Sequence, residues 1–256
     1  MADLSIKIPS IDIEWSVPKN QPSWKDQASQ ILRTIKTNYL KEFQNASALT
    51  GVPVNLLVSF AAVESGGARN EKLDGASKGL MQVNTDTVWQ VLSDQLKVST
   101  LGKFYPFYIG CPTIFSLVKP LPKDFWSTST ATAKIRNEKA SDYIKILSIN
   151  PVVLGEIRKA ILSNSQWSIY VGSLTLAQLI NGTIEKTGQI RLDHIIIKYN
   201  AGVGRFRSLV TRKGLESAMV DTTAIYNAVP IPVTRAYIVK LLGINGFLDL
   251  LKRNVV

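Results

Sequence analysis

Residues 53–67 read PVNLLVSFAAVESGG, and this apolar stretch is the clearest indication of how the chain folds. Proline is tolerated in the first turn of a helix and glycine commonly ends one, so the stretch predicts a helix over Pro53–Ser65. The side chains of this helix are apolar on nearly every face. Such a helix must be buried, so it predicts a core element.

Glu64 is the only acidic residue of this predicted helix, and it stands at the C-terminal end. Burial disfavours the charged form of a carboxyl, and the negative end of the helix dipole does the same, so both raise its pKa. A carboxyl that keeps its proton near neutral pH suits general acid catalysis. Glu64 is therefore the candidate catalytic residue.

The rest of the chain also has mainly helical patterns. Residues 1–22 differ, because three prolines flank alternating isoleucines and acids, which predicts an extended arm or edge strand that could dock on a partner. Residues 79–83 predict a turn before a helix start at 85–89, and residues 100–130 predict an irregular segment. Helices are predicted from Ser23 to about residues 45–50 and over 131–147, 151–163, 166–181, 188–200, 215–227 and 232–251.

Composition narrows the function classes. The 256 residues are 45% hydrophobic and 19% charged, and they contain no apolar run of about 18–20 residues, so we expect a globular chain with no membrane span. The net charge of +11 favours a polyanionic partner: nucleic acid, an anionic membrane face or a cell-wall polymer. No Cys/His finger or glycine-rich phosphate loop supports nucleic acid. The first residues lack a secretion signal, which predicts synthesis in the cytoplasm.

Metal and cofactor sites are not expected. Cys111 is the only cysteine and His194 the only histidine, so neither an intrachain disulfide nor a common His/Cys metal site can form. His194 lies in an apolar helical pattern, which favours an ordinary core residue over a catalytic base.

Three short motifs occur in order along the chain: Glu64-Ser65-Gly66-Gly67, Gly79-Leu80-Met81-Gln82 and Tyr199-Asn200-Ala201-Gly202. Together they resemble the lytic transglycosylase (SLT) domain of the goose-type lysozyme superfamily. A weaker fourth similarity is Pro232-Val233-Thr234-Arg235-Ala236-Tyr237-Ile238, which resembles that family's Glu-Thr-x-x-Tyr-Val helix.

The resemblance implies a mainly α, lysozyme-like domain over residues 23–256, with an irregular insertion at about 95–160. It also implies an enzyme that cleaves peptidoglycan between N-acetylmuramic acid and N-acetylglucosamine without water. Glu64 would protonate the glycosidic oxygen and then, as a carboxylate, take the proton of the muramyl 6-hydroxyl. The product would be a 1,6-anhydro sugar.

The resemblance further implies that Gln82, Met81, Tyr199 and Asn200 contact the glycan, with no metal and no cofactor. Three of them have a plainer interpretation: Met81 as core filler, Tyr199 as core with a polar hydroxyl in water, Asn200 as a helix cap. Aromatic residues that could stack on sugars, though most should be core, are Trp89, Trp126, Trp167, Tyr105 and Tyr108.

Some positions depart from the family pattern. Val233 replaces a glutamate, while Ser168 and Thr175 replace an asparagine and a tyrosine, which affects the expected details of glycan binding. Glycosidases with two carboxylates need the second at a fixed separation across the bond. The nearest candidates are Asp74 and Asp86, both more typical of solvated or capping acids.

Two alternatives remain open at this level. The same fold could hydrolyse the bond as a muramidase, or it could be an inactive structural or wall-binding tail protein. Because a wall enzyme without a secretion signal needs another route, we expect delivery in a phage virion, with the arm or the insertion contacting tail or virion proteins.

Overall fold

A computed structural model describes residues 9–67, 79–84, 87, 159, 161–162, 164–217 and 220–254. These residues contain eight α-helices and no β-strand, which confirms the prediction of a mainly α chain. The helices are α1 (Trp24–Thr50), α2 (Val54–Ser65), α3 (Ser165–Thr187), α4 (Leu192–Ala201), α5 (Val203–Leu209), α6 (Thr222–Ala228), α7 (Pro232–Leu242) and α8 (Phe247–Lys252), with a 3-10 turn at Thr211–Lys213.

The chain divides into two compact units. The first comprises Met1–Leu40, Val52–Gly67 and Leu176–Val256, and the second comprises Lys41–Gly51 and Ala68–Thr175.

Helix α2 lies at the centre of the first unit, as its apolar sequence predicts. Leu57, Val58 and Phe60 have no exposed surface, and the helix contacts both α7 and α8. Helix α7 also packs against α4, which in turn contacts α5 and α6. Burying an all-apolar helix in this way is the main source of stability that its side chains can supply.

The described part of the N-terminal arm packs on its own unit. The backbone N–H of Ile11 donates to the Leu242 carbonyl, and the N–H of Ile244 donates to the Ile13 carbonyl, both at 3.0 Å. Glu14 and Ile244 form a single parallel bridge. The buried side chain of Ile11 anchors the segment, so this stretch of the arm is part of the fold.

Four predicted helices have wrong bounds. The helix predicted over 166–181 extends over Ser165–Thr187, and the helix predicted over 188–200 begins at Leu192. The helix predicted over 215–227 begins at Thr222, because the chain first makes turns around Gly214 and Asp221 then supplies the extended residue before the helix. The helix predicted over 232–251 is two helices. The first of the two ends at Leu242, and a side chain at the next residue, Gly243, would clash with the carbonyl oxygens of Ile13 in the arm and of Val239.

In the second unit, the predicted turn at residues 79–83 is present. Gly79 has a φ of 75°, and the Gln82 N–H donates to the Gly79 carbonyl at 3.1 Å. The Met81 N–H donates to the Ser168 hydroxyl at 3.4 Å, so the turn is tied to the first half of α3. The side chain of Asn84 accepts the Thr87 N–H at 2.7 Å, as a helix cap does.

No helix in the described ranges combines the length and apolar character that a membrane span needs. Several predictions lie outside the described residues: the insertion at 95–160 with its helices up to residue 158, the acids Asp74 and Asp86, and the aromatic residues Trp89, Trp126, Tyr105 and Tyr108.

Candidate active site

Glu64 lies in the last turn of α2, one residue before the helix ends at Ser65. Gly66 takes the left-handed conformation with φ 61°, and its N–H donates to the Ala62 carbonyl at 3.0 Å. Ser65 donates its hydroxyl to the Ala61 carbonyl and accepts the Gly67 N–H. The Glu-Ser-Gly-Gly motif therefore ends the core helix abruptly and leaves Glu64 half-buried at its end.

The carboxylate of Glu64 has a defined partner on α7. Tyr237, which is 4% exposed, donates its hydroxyl to Glu64 Oε1 at 2.9 Å. The two residues are 173 positions apart in the chain, and the packing of α7 against α2 brings them together. This hydrogen bond fixes one oxygen of the carboxyl group.

Two tyrosines pack against the same aromatic side chain of α2. Tyr199, at the end of α4, meets Phe60 edge to face with ring centroids 5.1 Å apart. Tyr237 meets Phe60 at 6.0 Å in a tilted arrangement. Phe60 lies one helical turn before Glu64, so it aligns both phenol rings beside the carboxyl-bearing end of the helix.

Burial raises the pKa of Glu64 from its ordinary value of 4.5 to about 7, and the hydrogen bond from Tyr237 lowers it by a smaller amount. Within the described part of the chain, no cation forms an ion pair with Glu64. A carboxyl with this pKa is present in both protonation states near neutral pH. It can therefore donate a proton in one step and accept one in the next.

Both tyrosines stay protonated beside this group. Burial, and then the negative charge of Glu64, raise the pKa of Tyr199 and of Tyr237 well above the ordinary range. A neutral phenol can donate a hydrogen bond but will not compete with Glu64 as a base. Tyr199 is therefore close enough to Glu64 for the charge of that carboxylate to act on it, while its expected contact with a glycan stays a prediction.

Asn200 follows Tyr199 but faces a different partner. Its Oδ1 accepts a hydrogen bond from the buried hydroxyl of Thr234 on α7 at 2.8 Å. The alternative role of a helix cap is not what its side chain does here, because it ties α4 to α7 instead. Its predicted glycan contact also stays a prediction.

Met81 and Gln82 belong to the second unit. Met81 is fully buried, and a Cβ at Gly172 would lie 2.5 Å from the Met81 Cβ, so the two residues pack tightly. This burial favours the plainer interpretation of Met81 as core. Gln82 donates its side-chain amide to the Gly79 carbonyl at 2.8 Å, which braces the turn. Their contact with a glycan stays a prediction.

The departures from the family motifs have local explanations in two cases. Ser168 accepts the Met81 N–H, so a small hydroxyl side chain suits the narrow space beside Gly79. Thr175 returns its hydroxyl to the Val171 carbonyl within α3. Val233 is 69% exposed in the first turn of α7.

His194 is a buried core residue, as its sequence context indicates. Its ring packs against Phe206 at 5.0 Å, and neither ring nitrogen has a hydrogen-bond partner among the described residues. Burial lowers the pKa of His194 to about 4, so the ring is neutral. The described residues also contain no cluster of three or more His, Cys, Asp or Glu side chains that could hold a metal ion.

Tyr237 is the site residue that sequence reasoning missed. Its position in the weak fourth motif, Pro232–Ile238, is the available signal, but that motif alone does not assign it to Glu64.

Comparison of the chain with protein-family models, with curated proteins and with solved structures finds no match in any of the three.

Proposed function

We propose that this protein is a peptidoglycan lytic transglycosylase in which Glu64 acts first as acid and then as base. The observation that carries the proposal is a carboxyl at the end of a core helix whose pKa is raised to about 7 and whose one oxygen is held by Tyr237. The three ordered motifs supply the likeness to the transglycosylase family, and the +11 charge suits an anionic wall.

The chemistry needs a single titratable group. Protonated Glu64 gives its proton to the glycosidic oxygen as the bond to the muramyl C1 breaks. The carboxylate then removes the proton of the muramyl 6-hydroxyl, whose oxygen closes the 1,6-anhydro ring on C1. The Tyr237 hydroxyl steadies the carboxylate between these steps, because a hydrogen bond to the charged form stabilises it.

The test is digestion of purified sacculi followed by mass analysis of the released muropeptides. We expect anhydro-muramyl products, each lacking one water compared with the product of hydrolysis. Muropeptides that retain this water and have a free reducing end would instead identify a muramidase. No release of muropeptides would leave the fold as a structural or wall-binding module and would contradict the proposal.

Two variants separate chemistry from charge. Glu64→Gln keeps the shape and the acceptor for Tyr237, and we expect it to reduce the rate of cleavage by about 10²–10⁴-fold. Glu185→Gln removes one carboxylate from an exposed position of α3 and should cleave as the unaltered protein does. Turnover that survives in Glu64→Gln would show that another group supplies the proton.

A further inference from the structure

A second site candidate lies in the first unit, between α3, α4 and α5. It is a half-open cavity of about 210 Å³ whose walls include three cationic side chains, Lys186, Lys198 and Arg207. None of its nine lining residues, all within the described ranges, carries a carboxylate. We call this cavity the basic pocket.

Lys198 is the distinctive member of the pocket. It is only 9% exposed, yet it lines the cavity and no ion pair with a described residue neutralises it. Its Nζ donates to the Thr183 hydroxyl at 3.2 Å and lies 4.5 Å from the centroid of the Phe206 ring. An ammonium group has three donors, and these contacts use one of them in a hydrogen bond.

The surroundings leave the pocket short of negative charge. Burial, and then the charge of Lys186, lower the pKa of Lys198, while Glu216 acts in the opposite direction without lining the cavity. Cations that are crowded and partly desolvated in this way favour an anionic ligand, because the ligand restores the missing counter-charge.

The rest of the wall is apolar. Leu179, Val203 and Phe206 line the same cavity, and Val203 is half-exposed at 52%. A bare inorganic anion would leave this surface without a partner. A ligand with an anionic end and a small apolar group beside it would use both kinds of wall.

We propose that the basic pocket binds the free carboxylate of a short peptide, with a small side chain such as that of alanine against Phe206 and Val203. The choice of a wall peptide as the source rests on the proposed function, since peptidoglycan strands carry short peptides that end in D-alanine. Lys198 and Arg207 receive the carboxylate, and the apolar wall receives the methyl group. The pocket would thus hold the peptide part of the substrate.

The test is calorimetric titration of the full chain with N-acetyl-D-alanyl-D-alanine and with its C-terminal amide. We expect the acid to bind about tenfold or more tightly than the amide, because the amide lacks the charge that Lys198 and Arg207 recognise. Equal affinity for the two probes would overturn the assignment. Inorganic phosphate that binds more tightly than the dipeptide, and is not displaced by it, would do so as well.

Three variants locate the site. Lys198→Met keeps the length of the buried side chain. Arg207→Gln changes an exposed residue, so this substitution should leave folding intact. Each variant should bind the dipeptide about tenfold more weakly. Lys252→Met removes one charge from an exposed position outside the pocket and should bind as the unaltered protein does. An equal loss of affinity in Lys252→Met would show that the net charge of the protein determines binding, and this would contradict the proposal.

The outcome is independent of turnover. If sacculi are cleaved but the dipeptide does not bind, the peptide assignment fails and the proposed activity stands. If the dipeptide binds at Lys198 while Glu64 has no role in cleavage, the proposed activity fails and the pocket stands.

Discussion

Two carboxyl groups of the first unit, the half-buried Glu64 and the fully buried Asp193, have opposite environments. Asp193 has no exposed surface and makes a bidentate ion pair with Arg191, through Nε at 3.1 Å and Nη2 at 2.6 Å. It also accepts the Thr222 hydroxyl at 3.1 Å and the His194 N–H at 2.9 Å. Glu64 accepts one hydrogen bond from Tyr237 and has no cation beside it among the described residues.

Their places on the helices differ in the same sense. Asp193 stands in the first turn of α4, where the helix dipole favours a negative charge, and Glu64 stands in the last turn of α2, where the dipole disfavours it. Burial alone therefore does not decide the chemistry open to a carboxyl group. The two groups differ in the number and charge of their partners: an arginine and two further donors hold Asp193, and one phenol holds Glu64.

The largest effect is expected from removing the cation that pairs with Asp193. Arg191→Met leaves Asp193 buried without its ion pair, and also removes the bonds from Arg191 to the carbonyls of Ser217 and Val220. We expect the free energy of unfolding to fall by about 3–5 kcal/mol. Urea denaturation at neutral pH measures this loss.

The matched control is Arg253→Met, which breaks the exposed pair between Arg253 and Asp249. An exposed ion pair contributes about 1 kcal/mol or less, so this variant should unfold at nearly the unaltered urea concentration. Similar losses of unfolding free energy in the two variants would mean that burial does not make the Arg191–Asp193 pair more important for stability than the exposed pair.

Glu64 should lower the free energy of unfolding as pH rises. Its pKa is 4.5 in the unfolded chain and about 7 in the folded one, so between these values the unfolded chain releases a proton that the folded chain retains. Stability is unaffected by this group below pH 4.5, falls as pH rises to 7, and is constant above. The total loss is up to about 3 kcal/mol, with solvent at the half-exposed carboxyl reducing it.

Glu64→Gln should remove this loss. The stability of the variant relative to the unaltered protein should therefore increase from pH 4.5 to pH 7.5, as measured by urea denaturation at both values. Glu185→Gln, at an exposed position, should show no such trend. A constant difference between the Glu64→Gln variant and the unaltered protein would mean that folding does not change the proton affinity of Glu64.

Sequence reasoning could reach the Glu64 side of this comparison because the relevant signals are local. An apolar run, a single acid and two glycines predict a buried helix with a carboxyl at its end, and α2 has these features. The same is true of the turn at Gly79, whose positive φ suits glycine.

The other side of the comparison depends on long-range contacts that no local pattern contains. The sequence around His194 predicts an ordinary apolar helix, although the neighbouring Asp193 accepts a hydrogen bond from Thr222, 29 residues along the chain. Tyr237 reaches Glu64 only because α7 packs against α2, and α7 ends at Leu242, whose carbonyl accepts a backbone hydrogen bond from Ile11 of the arm. Such contacts follow from the assembled fold.

The smallest effects are expected from variants that remove one hydroxyl donor from each of the two carboxyl groups. In Tyr237→Phe, Glu64 loses the hydrogen bond that lowers its pKa, so this pKa rises above about 7. Cleavage that requires protonated Glu64 should then persist to higher pH, and the basic limb of the profile of kcat/KM against pH should move upward. The maximal rate should fall about tenfold, because one neutral hydrogen bond to the reacting group contributes about 1–1.5 kcal/mol.

Thr222→Val is the matched change at Asp193, where it removes one donor but leaves the Arg191 ion pair and the backbone donor. It should lower the free energy of unfolding by about 1 kcal/mol and leave the pH profile of cleavage unchanged. A basic limb that stays in place in Tyr237→Phe would show that Tyr237 does not tune Glu64. A limb that moves in Thr222→Val would show that the structural carboxylate is coupled to the site, because Asp193 would then affect the proton on Glu64 from outside its contacts.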